Sequence, residues 1–388
     1  MTPGIREGLI LSLVSSLQMA EQSALNALSN GLDMKELAAA GAAFPFGKLT
    51  TTLLMVVRPS SDPRSALVID ALLLILAAVI GLVPSWFFLS IARFFMGAGA
   101  GLGFVCAPVL LAELVPYRHR PAHFLVLGLA FCFSTLISNI LPVIKSDAYL
   151  VVLACCVFSA TTGGLYLWLR PGPRNDLLLS EEEKQGFDGY LQNSRQSKRP
   201  IALTNVLMLL NVTIGVPVIL AFSLLIFKEF GASETSCFWL GIGFPLCQMV
   251  LLSFLHQYNA LNRRLLVVGG YALSVFIQFF LLLTSAYDLL PPDQKTAFLC
   301  FWLFALAVST CVPCNTALCV IAEQFAAPSE RLRYGSAGRA LMWLGTTIST
   351  STFMGCVKEY GFTWAFFPYV FLSAILLLIL VFLYPKDD

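Results

Sequence analysis

Residues 86–120 read WFFLSIARFFMGAGAGLGFVCAPVLLAELVPYRHR. From Trp86 to Glu113 this stretch is apolar except for Arg93, about two turns in. As a helix it would be about 42 Å long at 1.5 Å per residue, enough to pass through the roughly 30 Å hydrocarbon core of a bilayer. It closes on Glu113, Pro116, Arg118 and Arg120, and a helix-stopping proline beside charges marks a water-facing end. Gly97, Gly99, Gly101 and Gly103 would let neighbouring helices approach closely. They do not form a phosphate loop, because no strand precedes them.

The rest of the chain repeats this character. Of 388 residues, 58 % are hydrophobic and 12 % charged, about half the charge of a soluble domain. A soluble enzyme, a nucleic-acid binder and a disulfide-stapled secreted domain are excluded. Continuous rather than alternating apolar runs exclude an outer-membrane barrel. Twelve spans are expected, at 8–29, 36–57, 66–83, 86–113, 122–143, 149–169, 201–227, 236–256, 264–287, 297–323, 334–355 and 361–384. The first is read as a span rather than a cleavable signal peptide. Alternate loops carry sixteen basic residues on the side of the chain termini and five on the other, with Lys48, Arg93 and Arg339 left inside spans. The positive-inside rule then puts both termini in the cytoplasm, and a plasma membrane is the expected location. Most of the eleven cysteines fall inside apolar runs and read as small buried hydrophobes. No Ser/His/Asp, metal or nucleotide constellation is present, so neither an enzyme nor a cofactor is expected. The partners expected are the lipid bilayer and a small solute; nothing in the sequence sets an oligomeric state.

The longest polar stretch, 170–200, divides the spans six and six. The expected organisation is a six-helix bundle over 1–169, a cytoplasmic linker over 170–200 and a second bundle over 201–388. Within the linker, Ser180 and Glu183 have capping-box spacing, read either as the start of a short amphipathic helix or as part of a solvated charged connection. The halves echo each other. Ala112-Glu113 precedes Arg118 and Arg120, and 210 residues on Ala322-Glu323 precedes Arg331 and Arg333. Arg64 opens the third span and Arg263-Arg264 the ninth. Such duplication marks transporter folds whose site lies between the halves near the midplane.

Scattered motifs in order along the chain resemble the sugar porters of the major facilitator superfamily, which include the facilitative glucose transporters. Ser16-Leu-Gln18-Met19 resembles the first-span motif of animal glucose transporters. Ala92-Arg93 with Gly97 and Gly99 resembles the family's opening of span four, and Pro108, Glu113, Pro116 and Arg120 match its close. Arg170-Pro-Gly-Pro173-Arg174, Ile226-Phe227 with Gly231, Asn262-Arg263-Arg264 and Tyr384-Pro385-Lys386-Asp387 resemble the later motifs. The resemblance implies an all-α polytopic fold of twelve helices in two six-helix bundles, alternating access, and a cytoplasmic network of gate ion pairs. Candidates for that network are Arg58, Arg64, Glu113, Arg118, Arg120, Arg174, Arg263, Arg264, Glu323, Arg331 and Arg333. A network is needed, because a single exposed pair contributes only about 0–1 kcal/mol. The alternative is that these charges only set topology.

The family holds hexose hydroxyls with amides, which both donate and accept. Carried over by resemblance, the span-five glutamine falls on Gly128, the paired glutamines of span seven on Asn211 and Val212, and the later span-seven asparagine on Pro217. The span-eight asparagine falls on Cys247 beside Gln248, and the span-eleven asparagine on Leu341 near Trp343. Span ten offers Asn315. The expected solute path therefore takes in Gln18, Glu21, Gln22, Lys48, Asn211, Thr213, Pro217, Gln248, Asn315 and Trp343, but it lacks most of the sugar-binding amides. Gln22 stands where proton-coupled members carry an aspartate, which points to uniport. Glu21 and Lys48 either line the path or couple a proton, or else they pair structurally or one of them snorkels. Gly215 and Pro217 are expected to break span seven and free carbonyls for the solute. The expected function is transport of a small polar solute, a monosaccharide by resemblance. The alternatives are a non-sugar organic solute or a non-transporting sensor.

Overall fold

The computed structural model describes residues 34–58, 63–114, 120–144, 148–169, 199–256, 262–287, 290–325 and 328–384. The first expected span and the 170–198 linker, with Gln18, Glu21, Gln22 and Arg174, lie outside them, as do Arg118 and the side chain of Glu113.

In hydrocarbon each backbone N–H and C=O must be satisfied within its own segment, so long apolar runs become helices. Those described are α1 (Met34–Val57), α2 (Pro63–Gly81), α3 (Trp86–Leu114), α4 (Arg120–Ile144), α5 (Ala148–Leu169), α6 (Arg199–Thr213), α7 (Val216–Glu229), α8 (Glu234–His256), α9 (Gly270–Ala286), α10 (Pro292–Glu323) and α11 (Pro328–Leu383). A π-helical turn, Leu265–Gly269, leads into α9. Nine described segments are long and apolar enough to cross a membrane. The last, Glu330–Leu383, is about 81 Å long at the helical rise and crosses twice, because Gly361 (φ 81°, ψ 164°) interrupts it. The described part of α5 supplies a further apolar crossing over Leu153–Leu165. With the expected first span, this is an all-α membrane fold of twelve helices. The helix limits fall within a few residues of the expected ones, except that α10 starts five residues earlier and α11 six.

Glycines seat the N-terminal half. A Cβ on Gly97 would come within 3.1 Å of the Phe44 Cα, one on Gly101 within 3.0 Å of the Lys48 Cα, and one on Gly47 within 2.8 Å of the Ala98 nitrogen. The glycine face of α3 therefore lies directly on α1 and fixes where Phe44 and Lys48 stand. Gly99, on another face, packs against Asp70 of α2.

Two helix pairs make most of the contact between the halves: α1 with α11, and α4 with α8. Moving six spans along the chain turns span two into span eight and span five into span eleven, so each pair is the repeat image of the other. The seam thus has the two-fold character that the echoed loops imply. Buried apolar residues form two large clusters spanning both halves. One includes Phe44, Phe222, Phe244 and Phe366, and the other, nearer the arginine-rich helix ends, includes Leu111, Phe124, Leu207 and Trp343.

Candidate functional site

Span seven is broken where expected. Gly215 adopts φ 85°, a conformation that glycine tolerates and other residues rarely adopt, and α7 restarts at Val216-Pro217. Pro217 has no N–H for the Thr213 carbonyl four residues back. The freed Thr213 carbonyl accepts from Gln278 Nε2 of α9 at 2.8 Å. Thr213 itself is buried, and its hydroxyl turns back to the Leu210 carbonyl at 3.4 Å, away from the cavity described next.

Beside the break, between the halves, lies a cavity of about 110 Å³. Asn211, Pro217, Gln248, Asn315 and Trp343, five of the expected path residues, line it together. Its wall draws on spans five, seven, eight, ten and eleven and also on span four through Phe104; the contribution expected of span one lies outside the described residues. Phe104, Phe131 and Phe244 were not foreseen; inside uniformly apolar runs, nothing in the sequence separates a cavity phenylalanine from a core one.

The amides of the wall are engaged with protein. Gln248 Nε2 donates to the Ala307 carbonyl at 2.6 Å, and Gln248 Oε1 accepts from Cys132 Sγ across the halves at 3.3 Å. Asn315 Nδ2 donates to the Cys311 carbonyl at 2.6 Å, and Asn211 Oδ1 accepts from the Tyr271 hydroxyl at 2.5 Å. Gly128, at the place of the family's span-five glutamine, makes room for Asn315: a Cβ there would lie 2.7 Å from the asparagine Cγ. An amide from the opposite half thus occupies that position. The Trp343 indole N–H, in contrast, is buried with no acceptor among the described residues.

Lys48 stands one layer behind the wall rather than in it. Its ammonium sits 4.2 Å from the Phe44 ring centroid and 4.1 Å from that of Trp343, so it joins α1 to α11 across the seam through its attraction for the ring faces. Arg93 lies beyond Phe44, 5.8 Å from its centroid, and donates Nε to the Ala40 carbonyl at 3.1 Å. On the other side, Trp343 meets Phe104 edge-on at 5.5 Å, and the Arg339 guanidinium lies 5.5 Å from Phe104. A chain of cations and rings therefore runs along the seam: Arg93, Phe44, Lys48, Trp343, Phe104, Arg339.

At the arginine-rich end, Glu323 receives Arg263 at 3.2 Å from its own half and Arg120 at 3.9 Å from the other. His256 Nδ1 lies 2.9 Å from the Ala122 carbonyl, a second contact across the seam. Arg331 is buried with its Nε on the Phe325 carbonyl at 2.6 Å. Arg64 and Arg264 are half-buried; Arg58 and Arg333 are exposed and make no ion pair among the described residues.

The opposite end is held by different chemistry. Pro45 and Pro245 each free a carbonyl four residues back, at Gly41 and Gly241. Asn139 Nδ2 donates to the Gly241 carbonyl across the seam at 2.7 Å, and Thr350 Oγ1 lies 3.4 Å from the Gly41 carbonyl across it, with the Thr346 carbonyl of its own helix nearer at 2.9 Å. The two prolines are 200 residues apart, the spacing of Arg64 and Arg264 and close to the 210 of the other echoed loop, so these contacts form a repeat-related pair.

A cavity enclosed between two repeat-related helical bundles, with contacts between the bundles on either side of it, defines the architecture of a membrane transporter. Residues 8–318 match the model of the Major Facilitator Superfamily, and the chain belongs to that family. No curated protein sequence matches significantly. In fold the chain is similar to the proton:xylose symporter XylE bound to 6-bromo-6-deoxy-D-glucose, at 16 % identity and TM-score 0.75 over 99 % of this chain and 94 % of that one. It is likewise similar to the inward-open xylose transporter XylE from E. coli, at 16 % identity and TM-score 0.69 over 99 % and 98 % of the two chains. The human organic anion transporter MFSD10 aligns at 16 % identity and TM-score 0.63 over 97 % of this chain and 98 % of that one.

Proposed function

We propose that the protein is a secondary transporter that carries a small organic solute by alternating access through the cavity beside the span-seven break. One observation carries this reading: the cavity lies between the halves, and bonds that cross the seam flank it at both ends, Arg120–Glu323 and Asn139–Gly241. Releasing one set while keeping the other would expose the cavity to one side at a time. The arginine-rich end is then cytoplasmic, with both chain termini on that side, and the membrane is the plasma membrane. Arg120, Arg263 and Glu323 form the core of the inner gate. Gln22, at the place of the coupled aspartate, favours facilitative uniport.

A monosaccharide is the solute class supported by the motif resemblance and by fold similarity to the xylose symporter. The wall supports a second class more strongly, a non-sugar organic solute. A hexose needs many donors and acceptors, whereas Gln248, Asn315 and Asn211 already bond to their own protein and the remaining surface is mainly apolar. Leaving buried hydroxyls unpartnered costs about 1–3 kcal/mol each, which several sugar hydroxyls would multiply. The test is uptake into proteoliposomes of a panel of sugars, polyols and organic acids, with and without a proton gradient. Saturable uptake of any member supports transport. Its absence for correctly folded, reconstituted protein would leave the sensor reading.

A further inference from the structure

Away from the helix ends, the apolar segments hold three cations, Lys48, Arg93 and Arg339, against two carboxylates, Glu21 and Asp70. If both carboxylates neutralise two of the cations, one positive charge remains in the membrane interior. Ionised groups there are kept only where a countercharge or a functional site compensates them. Arg339 is where the excess is visible. It is 1 % exposed, makes no ion pair among the described residues, and its Nε has no acceptor there. It lies four residues before Trp343 and so projects from the same face of α11, one turn nearer the arginine-rich end. Its guanidinium rests on Phe104, which itself lines the cavity and meets Trp343.

We propose, on the basis of the transporter reading above, that the solute is an organic anion with an apolar or aromatic body. Its acidic group is drawn to the Arg339 side of the cavity floor, and its body packs among Phe104, Phe131, Phe244 and Trp343. The solute supplies the negative charge that the spans lack. Gln248 and Asn315 then serve to hold the wall together, which explains why their amides bond to protein.

The test uses the full-length protein, purified and also reconstituted, with three probes: benzenesulfonate, which is permanently charged; benzenesulfonamide, its neutral counterpart; and D-xylose. Binding is read by calorimetry and flux by uptake, for wild type, Arg339→Gln and Arg339→Lys. The expected result is saturable binding and flux of the sulfonate but not of the sulfonamide. Arg339→Gln should weaken that binding at least about tenfold, as for loss of a weakly screened charge attraction in a buried site, while Arg339→Lys keeps most of it. Arg339→Gln should also leave the melting temperature unchanged or raised, whereas loss of a structural ion pair would lower it. Sulfonate binding without flux would overturn transport and uphold the anion site. Flux of xylose with no sulfonate binding would overturn the anion site and uphold transport. Sulfonate binding that Arg339→Gln leaves intact would overturn the role given to Arg339, and failure of all binding and flux would overturn both readings.

Discussion

Replacing Glu323 with glutamine should open the arginine-rich end. The Glu323 carboxylate faces two guanidiniums, and the side chains of Arg120 and Glu323 are each only 6 % exposed, so solvent screens the pair weakly. Only the 3.9 Å link to Arg120 crosses the seam; the 3.2 Å bond to Arg263 stays within one half and persists when the halves part. At an effective dielectric constant near 20, charges about 4 Å apart attract by roughly 4 kcal/mol, and desolvation offsets much of this. A net contribution to closure of about 1–2 kcal/mol is reasonable, and losing it shifts the closed-to-open ratio about 5–30-fold. Hydrogen–deuterium exchange in lipid nanodiscs reads this directly. Peptides from the start of α4 and the ends of α8 and α10 should exchange faster in Glu323→Gln, while those around Asn139 and Thr350 should not. Arg263→Gln is the control: it removes the bond within one half and should change exchange little. Unchanged exchange in Glu323→Gln, or equal acceleration in Arg263→Gln, would refute the assignment of the Arg120 contact as the gate.

Three further outcomes follow from the packing. Asn139→Leu leaves the Gly241 carbonyl without its donor and should cost about 0.6–1.7 kcal/mol in unfolding from mixed micelles, the range for hydrogen bonds between membrane helices. In a Pro245→Ala background, where the helix regains its own donor, the same change should be nearly neutral. Gly101→Val should abolish a monodisperse peak in size-exclusion chromatography by forcing α3 off α1, whereas Gly355→Ala, with nothing within 4 Å, should not. Gly128→Ala should displace the Asn315 amide and alter solute affinity in calorimetry, and Asn315→Ala should relieve that defect if the clash is its cause.

The fold was legible because its determinants are local and coarse. Apolar run length sets the helices, and Pro217, Gly215 and Gly361 mark the breaks wherever they stand. The site was half legible. Asn211, Gln248, Asn315 and Trp343 stand out as polar or large residues in apolar runs, and all four reach the cavity. What Gln248 and Asn315 do there was hidden, because each donates to a backbone carbonyl on the same or another helix and every residue has one. Gln278 and Asn139 escaped notice for the same reason, since their value lies in a carbonyl that a proline elsewhere sets free. Arg339 was visible as a buried charge, but its place beside Phe104 depends on helix rotation across the two halves, which residue spacing within one helix does not fix. Glu323 was singled out with many arginines; only the geometry selects Arg120 and Arg263 as its partners.

The two proline-freed carbonyls also bear on the energetics of the conformational cycle. When the halves touch, Gly241 takes its missing donor from Asn139, and Gly41 is met by a Thr350 hydroxyl that also serves its own helix. When they separate at that end, water enters the cleft and can bond the same two oxygens, and it can solvate the released hydroxyl and amide as well. The number of hydrogen bonds is then conserved between the two states, and the difference in free energy between them stays small. An unbroken helix would offer no such vacancy, and a seam closed by apolar contact alone would expose greasy surface on parting. On the proposed transporter reading, the prolines, by interrupting their own helices at repeat-related points, would give this end a latch whose open and closed forms lie close in energy, leaving solute binding to tip the balance.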